Sequence, residues 1–234
     1  MNILALETST RRLSVALVTG NDLLERAEDL PNGGSERVLP WVTELLAGAD
    51  LAPADLDGVA FGAGPGSFTG LRLACGIAQG LAWGLELPVL PVGTLEALSR
   101  AAFDAGAGER IFACLDARMN EVYAAAYEIR DGVPVVLVPP AVSAASAVAR
   151  PPDGGWAGCG DGFAAWPAEL AARLAGCLAA VRADLFPTAA AVARLALPRF
   201  AAGEGVAAES AAPVYVRDKV ALTTAERLAR GGLR

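Results

Sequence analysis

The 234-residue sequence predicts an α/β protein of two lobes, each built on a mixed sheet. Three observations predict it: the order of the strand and helix signals, the return of that order after roughly 110 residues, and a glycine-rich turn between a strand and a long helix. The first lobe, residues 1–100, opens on three strand candidates, Ile3 to Ser9, Leu13 to Thr19 and Leu23 to Asp29. Polar turns at Thr10-Arg11-Arg12 and Gly20-Asn21-Asp22 separate them, which predicts an antiparallel meander. A helix is predicted from about Ser35 to Ala47, then a strand from Gly58 to Gly62, the glycine-rich turn, and a helix from about Phe68 to Leu85.

The second lobe, residues 101–234, is expected to be the smaller and degenerate copy. Its strand candidates lie near Arg110 to Asp116, Glu121 to Ile129 and Pro134 to Pro139, followed by an alanine-rich helix near Ser143 to Val148 and a strand near Trp156 to Gly160. Each lobe's opening strand ends on a carboxylate, Glu7 in ILALETST and Asp116 in IFACLDAR. Acids at such turns can hold a magnesium phosphate, but neither turn supplies the glycine that lets backbone N–H groups close on phosphate. Glu7 and Asp116 are therefore read as degenerate phosphate-loop acids, with turn stabilisation as their expected role.

Composition removes several function classes. There is no histidine, so His-dependent triads, Cys-His nucleophiles and HExxH zinc sites are excluded. Cys75, Cys114, Cys159 and Cys177 are too far apart for a CxxC motif and are expected as buried free thiols. Hydrophobic residues make up 54% of the chain, enough for a substantial core, yet no run of about 18 apolar residues is unbroken. The chain begins directly on an apolar strand without a basic leader, and a cytoplasmic protein is expected, with no membrane partner. Residues 1–100 hold 12 acids against 6 bases and the remainder 14 against 13, so the net −7 divides into −6 and −1. An acidic first half argues against tight independent binding of nucleic acid. The best basic patch is the tail, with Arg217, Lys219, Arg227, Arg230 and Arg234, which also reads as a solvated terminus.

The string GPGSFTGLR, Gly64 to Arg72, carries the most information. Gly64 and Gly66 permit tight backbone geometry, Pro65 fixes φ, and Ser67 or Thr69 can cap the following helix. Alone it is a weak phosphate-loop signal, with no Walker lysine and no GxGxxG spacing, and a structural turn serves equally. Together with ILALETST, GSERVLP at Gly34 to Pro40, DARMNEVYAA at Asp116 to Ala125, GDG at Gly160 to Gly162 and PVYVR at Pro213 to Arg217, it resembles the TsaB family, also called YeaZ. Two departures are Glu7, where the family usually has Asp, and Gly34, where it often has His.

That resemblance implies a duplicated actin-like (ASKHA, ribonuclease H-like) fold. It implies a non-catalytic subunit pairing directly with TsaD, the catalytic paralogue that installs threonylcarbamoyl on the adenosine beside the tRNA anticodon. TsaE joins the complex and TsaC the pathway; tRNA is reached only through the complex, and a homodimer is an option for the chain alone. No cofactor of its own is implied, with ATP or ADP left for the interface with partners. The catalytic relative's metal motif is like VNHLEGH, two histidines four apart on one helical face. Here the corresponding stretch is VGTLEAL, Val92 to Leu98, so Thr94 and Leu98 stand at the histidine positions and no metal site is expected. Glu96 remains, read as a surface or capping residue. The competing classes are a stand-alone actin-like ATPase or small-molecule kinase, opposed by the missing phosphate loops, and a metal-dependent glycopeptidase, opposed by the absence of histidine.

A partner surface is read from the two first-lobe helices. Gly76, Gly80 and Gly84 recur every four residues, at a cost of roughly 1 kcal/mol each relative to alanine. Such a stripe lets another backbone approach closely, either a partner helix or the chain's own sheet. With Leu73 and Ile77 on the same helix, and Val38, Trp41, Val42 and Leu45 on its neighbour, it predicts a four-helix contact.

Overall fold

The computed structural model describes residues 1–30 and 34–217. Strands β1 (Asn2–Glu7), β2 (Arg12–Thr19), β3 (Asp22–Asp29), β4 (Gly58–Gly64) and β5 (Val89–Gly93) form a first sheet in the order β3-β2-β1-β4-β5. Strands β6 (Arg110–Arg118), β7 (Glu121–Arg130), β8 (Val133–Ala144), β9 (Trp156–Cys159) and β10 (Leu178–Arg182) form a second, which from its β8 edge runs β8-β7-β6-β9-β10. In both, the first three strands pair antiparallel and the last two join in parallel, so the duplication is one of topology as well as of order.

Alternation along the strands sends side chains to opposite faces. Leu4, Leu6, Val15 and Leu17 pack under α1 (Ser35–Gly48) and α2 (Phe68–Leu85). Ile3, Ala5, Ala16 and Val18 face α6 (Ala189–Ala201) on the other side. In the second sheet Phe112, Cys114 and Trp156 pack beneath α4 (Gly162–Ala165) and α5 (Pro167–Arg173), and Ile111, Ala113 and Leu115 against α3 (Thr94–Asp104). The helices are thus exchanged: α3 follows the first sheet but covers the second, and α6 follows the second but covers the first. The two meet in the middle, where Arg199 of α6 pairs with Glu96 of α3. The lobe division at residue 100 consequently falls inside α3, and residues 189–201 belong with the first sheet.

The helix expected near Ser143 to Val148 is absent. Ser143 and Ala144 are still in the ladder, paired with Val122 and Glu121, and Ala145–Ala147 forms a single 3₁₀ turn. Alanine's helix propensity yields here to strand pairing in a segment too short for several helical turns. All four cysteines are buried free thiols, as the spacing predicts. Among the described residues no helix is long and apolar enough to cross a membrane.

Candidate functional site

The glycine turn is filled by the chain itself. After Glu7 the backbone runs through Thr8 and Ser9 directly beneath GPGSFTG: Ser67 N–H donates to the Ser9 carbonyl (2.7 Å), and the Thr8 hydroxyl donates to the Gly70 carbonyl (2.6 Å). A Cβ on Gly70 would overlap the Thr8 carbonyl, one on Gly62 would overlap Glu7 Oε2, and one on Gly66 would lie 2.6 Å from the Ser9 carbonyl. Gly64, at φ +121°, is crossed by the C-terminal segment, where Val214 N–H donates to the Ala63 carbonyl (2.7 Å). Pro65 is buried beside it. The glycines therefore serve close packing of this turn against Glu7, Thr8 and Ser9. Ser67 is the cap of α2, accepting from Gly70 N–H, while Thr69 is exposed.

The two acids have different surroundings. Glu7 is fully buried, with Oε1 accepting from Ser9 N–H (2.7 Å) and neither Glu7 Oε2 nor Ser9 Oγ hydrogen-bonded among the described residues. Burial raises its carboxyl to about 7, the Ser9 and Thr8 hydrogen bonds opposing only in part. Asp116 is 16% exposed and is held by its own turn: Arg118 N–H donates to it (3.0 Å) and the Arg118 guanidinium pairs with it (3.2 Å). Its own N–H donates to Asp161 of the GDG string (3.0 Å), whose carboxyl burial pushes up. Each acid accepts from the backbone of its own turn, but only Asp116 has both oxygens engaged there, while Glu7 keeps Oε2 without a partner among the described residues.

At the aligned histidine positions, Thr94 Oγ1 accepts from Gly64 N–H (3.1 Å) and Leu98 is core. Glu96 is largely buried and ion-paired with Arg199; burial raises its carboxyl, with Arg199 and the Gly93 backbone hydrogen bond opposing. A surface role is thereby corrected to an inter-helix ion pair. Among the described residues no three His, Cys, Asp or Glu side chains converge to hold a metal.

The partner surface divides. Val38, Trp41, Val42 and Leu45 are buried between α1 and the first sheet, because α1 spends its one apolar stripe there, and they are not available to a partner. Gly76, Gly80 and Gly84 lie on the opposite, outward face of α2, where a Cβ added to any of them would meet nothing within 4 Å. Leu73 and Ile77 flank them half-buried. Sequence reasoning missed Trp83, which is 69% exposed on the same helix, although its place one turn from Gly80 was legible. Leu39 is exposed on α1 and lines a groove of about 280 Å³ with Leu46, Leu51 and Leu81. In the basic tail, Arg217 is 13% exposed and bonded to Glu121 (2.6 Å) and the Ala117 carbonyl (3.1 Å), so it is a clasp. Lys219, Arg227, Arg230 and Arg234 lie outside the described residues.

Residues 33–211 match the family model described as TsaD, tRNA N6-adenosine threonylcarbamoyltransferase. The Escherichia coli tRNA threonylcarbamoyladenosine biosynthesis protein TsaB is 37% identical over 228 residues, covering 94% of this chain and 96% of that protein. Its Haemophilus influenzae counterpart is 46% identical over 123 residues, 53% of this chain and 52% of that one. The structure of YeaZ from Pseudomonas aeruginosa superposes with a TM-score of 0.86 at 40% identity, covering 92% of this chain and 99% of that one.

Proposed function

Since the chain belongs to the TsaB (YeaZ) family of tRNA threonylcarbamoyladenosine biosynthesis proteins, with the duplicated actin-like fold, we propose that it is a non-catalytic subunit that pairs directly with TsaD. The observation that carries this reading is the outward face of α2. Three glycines in line, flanked by exposed Trp83, weaken a solvent-facing helix unless another backbone comes close to them. Packing on the chain's own sheet does not account for them, because they point away from it.

The non-catalytic role draws support from the filled glycine turn and from Thr94 and Leu98, neither of which offers a ligand set for a metal. ATP or ADP is assigned to the interface with TsaD and TsaE, TsaC acts in the same pathway, and tRNA is engaged through the complex. Without TsaD, the same face of α2 would pair two copies of this chain. The competing ATPase or kinase reading needs an open phosphate turn, which Ser9 and Thr8 occupy.

Co-expression with the cognate TsaD followed by size-exclusion chromatography tests the proposal. Gly80→Leu and Trp83→Glu should abolish co-elution while leaving the thermal midpoint of the free chain near its original value. Retained pairing in both variants would overturn the assignment of this face. Trp41→Glu is unsuitable as a probe, because a charge placed in that buried position would unfold the lobe.

A further inference from the structure

We infer that Arg72, held between Phe68 and Tyr215 at the end of the glycine stripe, receives a carboxylate presented by the protein that pairs with α2. The inference rests on the reading of α2 as the pairing face. Arg72 is the one charged residue in the 18 of that helix. Its guanidinium lies 3.8 Å over the Phe68 ring, and its Nε donates to the Tyr215 hydroxyl (3.2 Å). The two rings are 6.0 Å apart, and Phe68 and Tyr215 are 52% and 47% exposed, large aromatic surfaces left at the boundary with solvent.

This arrangement is a second contact between GPGSFTGLR and PVYVR, beyond the crossing of Gly64 by Val214. The segment bearing Tyr215 is fixed along α2 by Gln79, whose Nε2 donates to the Ala211 carbonyl (2.9 Å). Between them lies a groove of about 220 Å³ that includes Arg72, Gly76, Gln79, Pro213 and Tyr215. Gly76 therefore borders both the groove and the stripe, and a helix seated on the glycines would run past Arg72. Stacking and the Nε bond hold the guanidinium plane, and neither of its two terminal nitrogens donates to a described residue. A planar fork held in this way suits bidentate binding of an oxyanion.

A protein carboxylate fits better than an RNA phosphate. The surrounding first hundred residues carry 12 acids against 6 bases, and a single cation in that setting is no phosphate track. The helix has no Asp or Glu of its own to offer, so a partner that buried Arg72 without an acid would leave an uncompensated charge. Arginine and tyrosine are also among the residues enriched at interface hot spots.

The test measures the dissociation constant for purified cognate TsaD with Arg72→Glu, Arg72→Lys and Tyr215→Phe, each checked for an unchanged thermal midpoint. Gly80→Leu runs alongside as an independent probe of the face. Expected losses are at least about 100-fold for Arg72→Glu and about 10-fold for Arg72→Lys, which keeps the charge but not the fork. A charge reversal of one TsaD acid should restore binding to Arg72→Glu. If Gly80→Leu abolishes pairing while Arg72→Glu binds as tightly as the parent, the carboxylate receptor is wrong and the face stands. If Arg72→Glu leaves pairing intact but weakens tRNA binding by the complex, the receptor serves a phosphate and the inference is overturned. If neither Gly80→Leu nor Arg72→Glu affects pairing, the face itself is wrong and the inference falls with it.

Discussion

At Gly62, Gly66 and Gly70 an added Cβ would run into Glu7, Ser9 and Thr8, whereas at Gly76, Gly80 and Gly84, further along the same stretch, it would meet nothing within 4 Å. Both sets step by four residues. In the first, the missing side chain is needed by the fold, because two backbone segments already occupy its place. In the second, it is needed by nothing in the chain itself and only lowers the stability of α2. A glycine's neighbours, more than its spacing, tell whether it belongs to the interior or is reserved for another molecule.

The largest expected effect comes from the first set. Gly70→Ala should destabilise by about 3 kcal/mol or more, since the Thr8 carbonyl and its hydrogen-bonded turn must move. Chemical denaturation of the purified variant measures it, and a loss below about 1 kcal/mol would mean the turn is compliant.

Glu7, which fills the space over Gly62, gives a pH-dependent test of the same packing. Its folded pKa of about 7 lies above the ordinary 4.5, so the fold favours the protonated carboxyl. The resulting contribution is fully present below pH 4.5 and is lost as pH rises to 7 and beyond. Glu7→Gln should therefore be more stable than the parent by up to about 3 kcal/mol at pH 8, with the difference vanishing near pH 4. A difference independent of pH would place the Glu7 carboxyl in contact with solvent.

The smallest effect is a gain, opposite in sign to that of Gly70→Ala. Gly76→Ala, Gly80→Ala and Gly84→Ala should each stabilise the free chain by up to about 1 kcal/mol while weakening the pairing with TsaD. Thermal melts of the free variants and their affinities should move in opposite directions. A variant that gains stability and keeps full affinity would show that its glycine is not at the contact.

These opposing roles were only partly legible in the sequence. The bounds of α2 were, because Ser67 caps it and the glycine turn precedes it. Trp41 and its neighbours on α1 were not, since apolar periodicity marks a buried stripe without saying which body buries it. Helix α6 escaped because its residues, AAAVARLALPRFA, are alanine-rich on nearly every side and leave no polar face to set a period. The alanine-rich stretch near Ser143 misled in the other direction, its partners in β7 being distant in sequence. The roles of Glu7 and Asp116 depended on which atoms fill each turn, and only coordinates contain that.

The exchange of α3 and α6 between the sheets has a consequence for synthesis. The first sheet emerges from the ribosome early, but the helix covering one of its faces, with Val192, Leu195 and Phe200, comes almost last. Until then Ile3, Ala5 and Val18 lack that helix, only Ala97 and Ala101 of α3 reaching the same face, and contacts spanning most of the chain must form before the N-terminal half is complete. A fragment ending at Asp104 should thus expose an apolar sheet face and aggregate, so the chain has to fold as one cooperative piece despite its two-lobed plan.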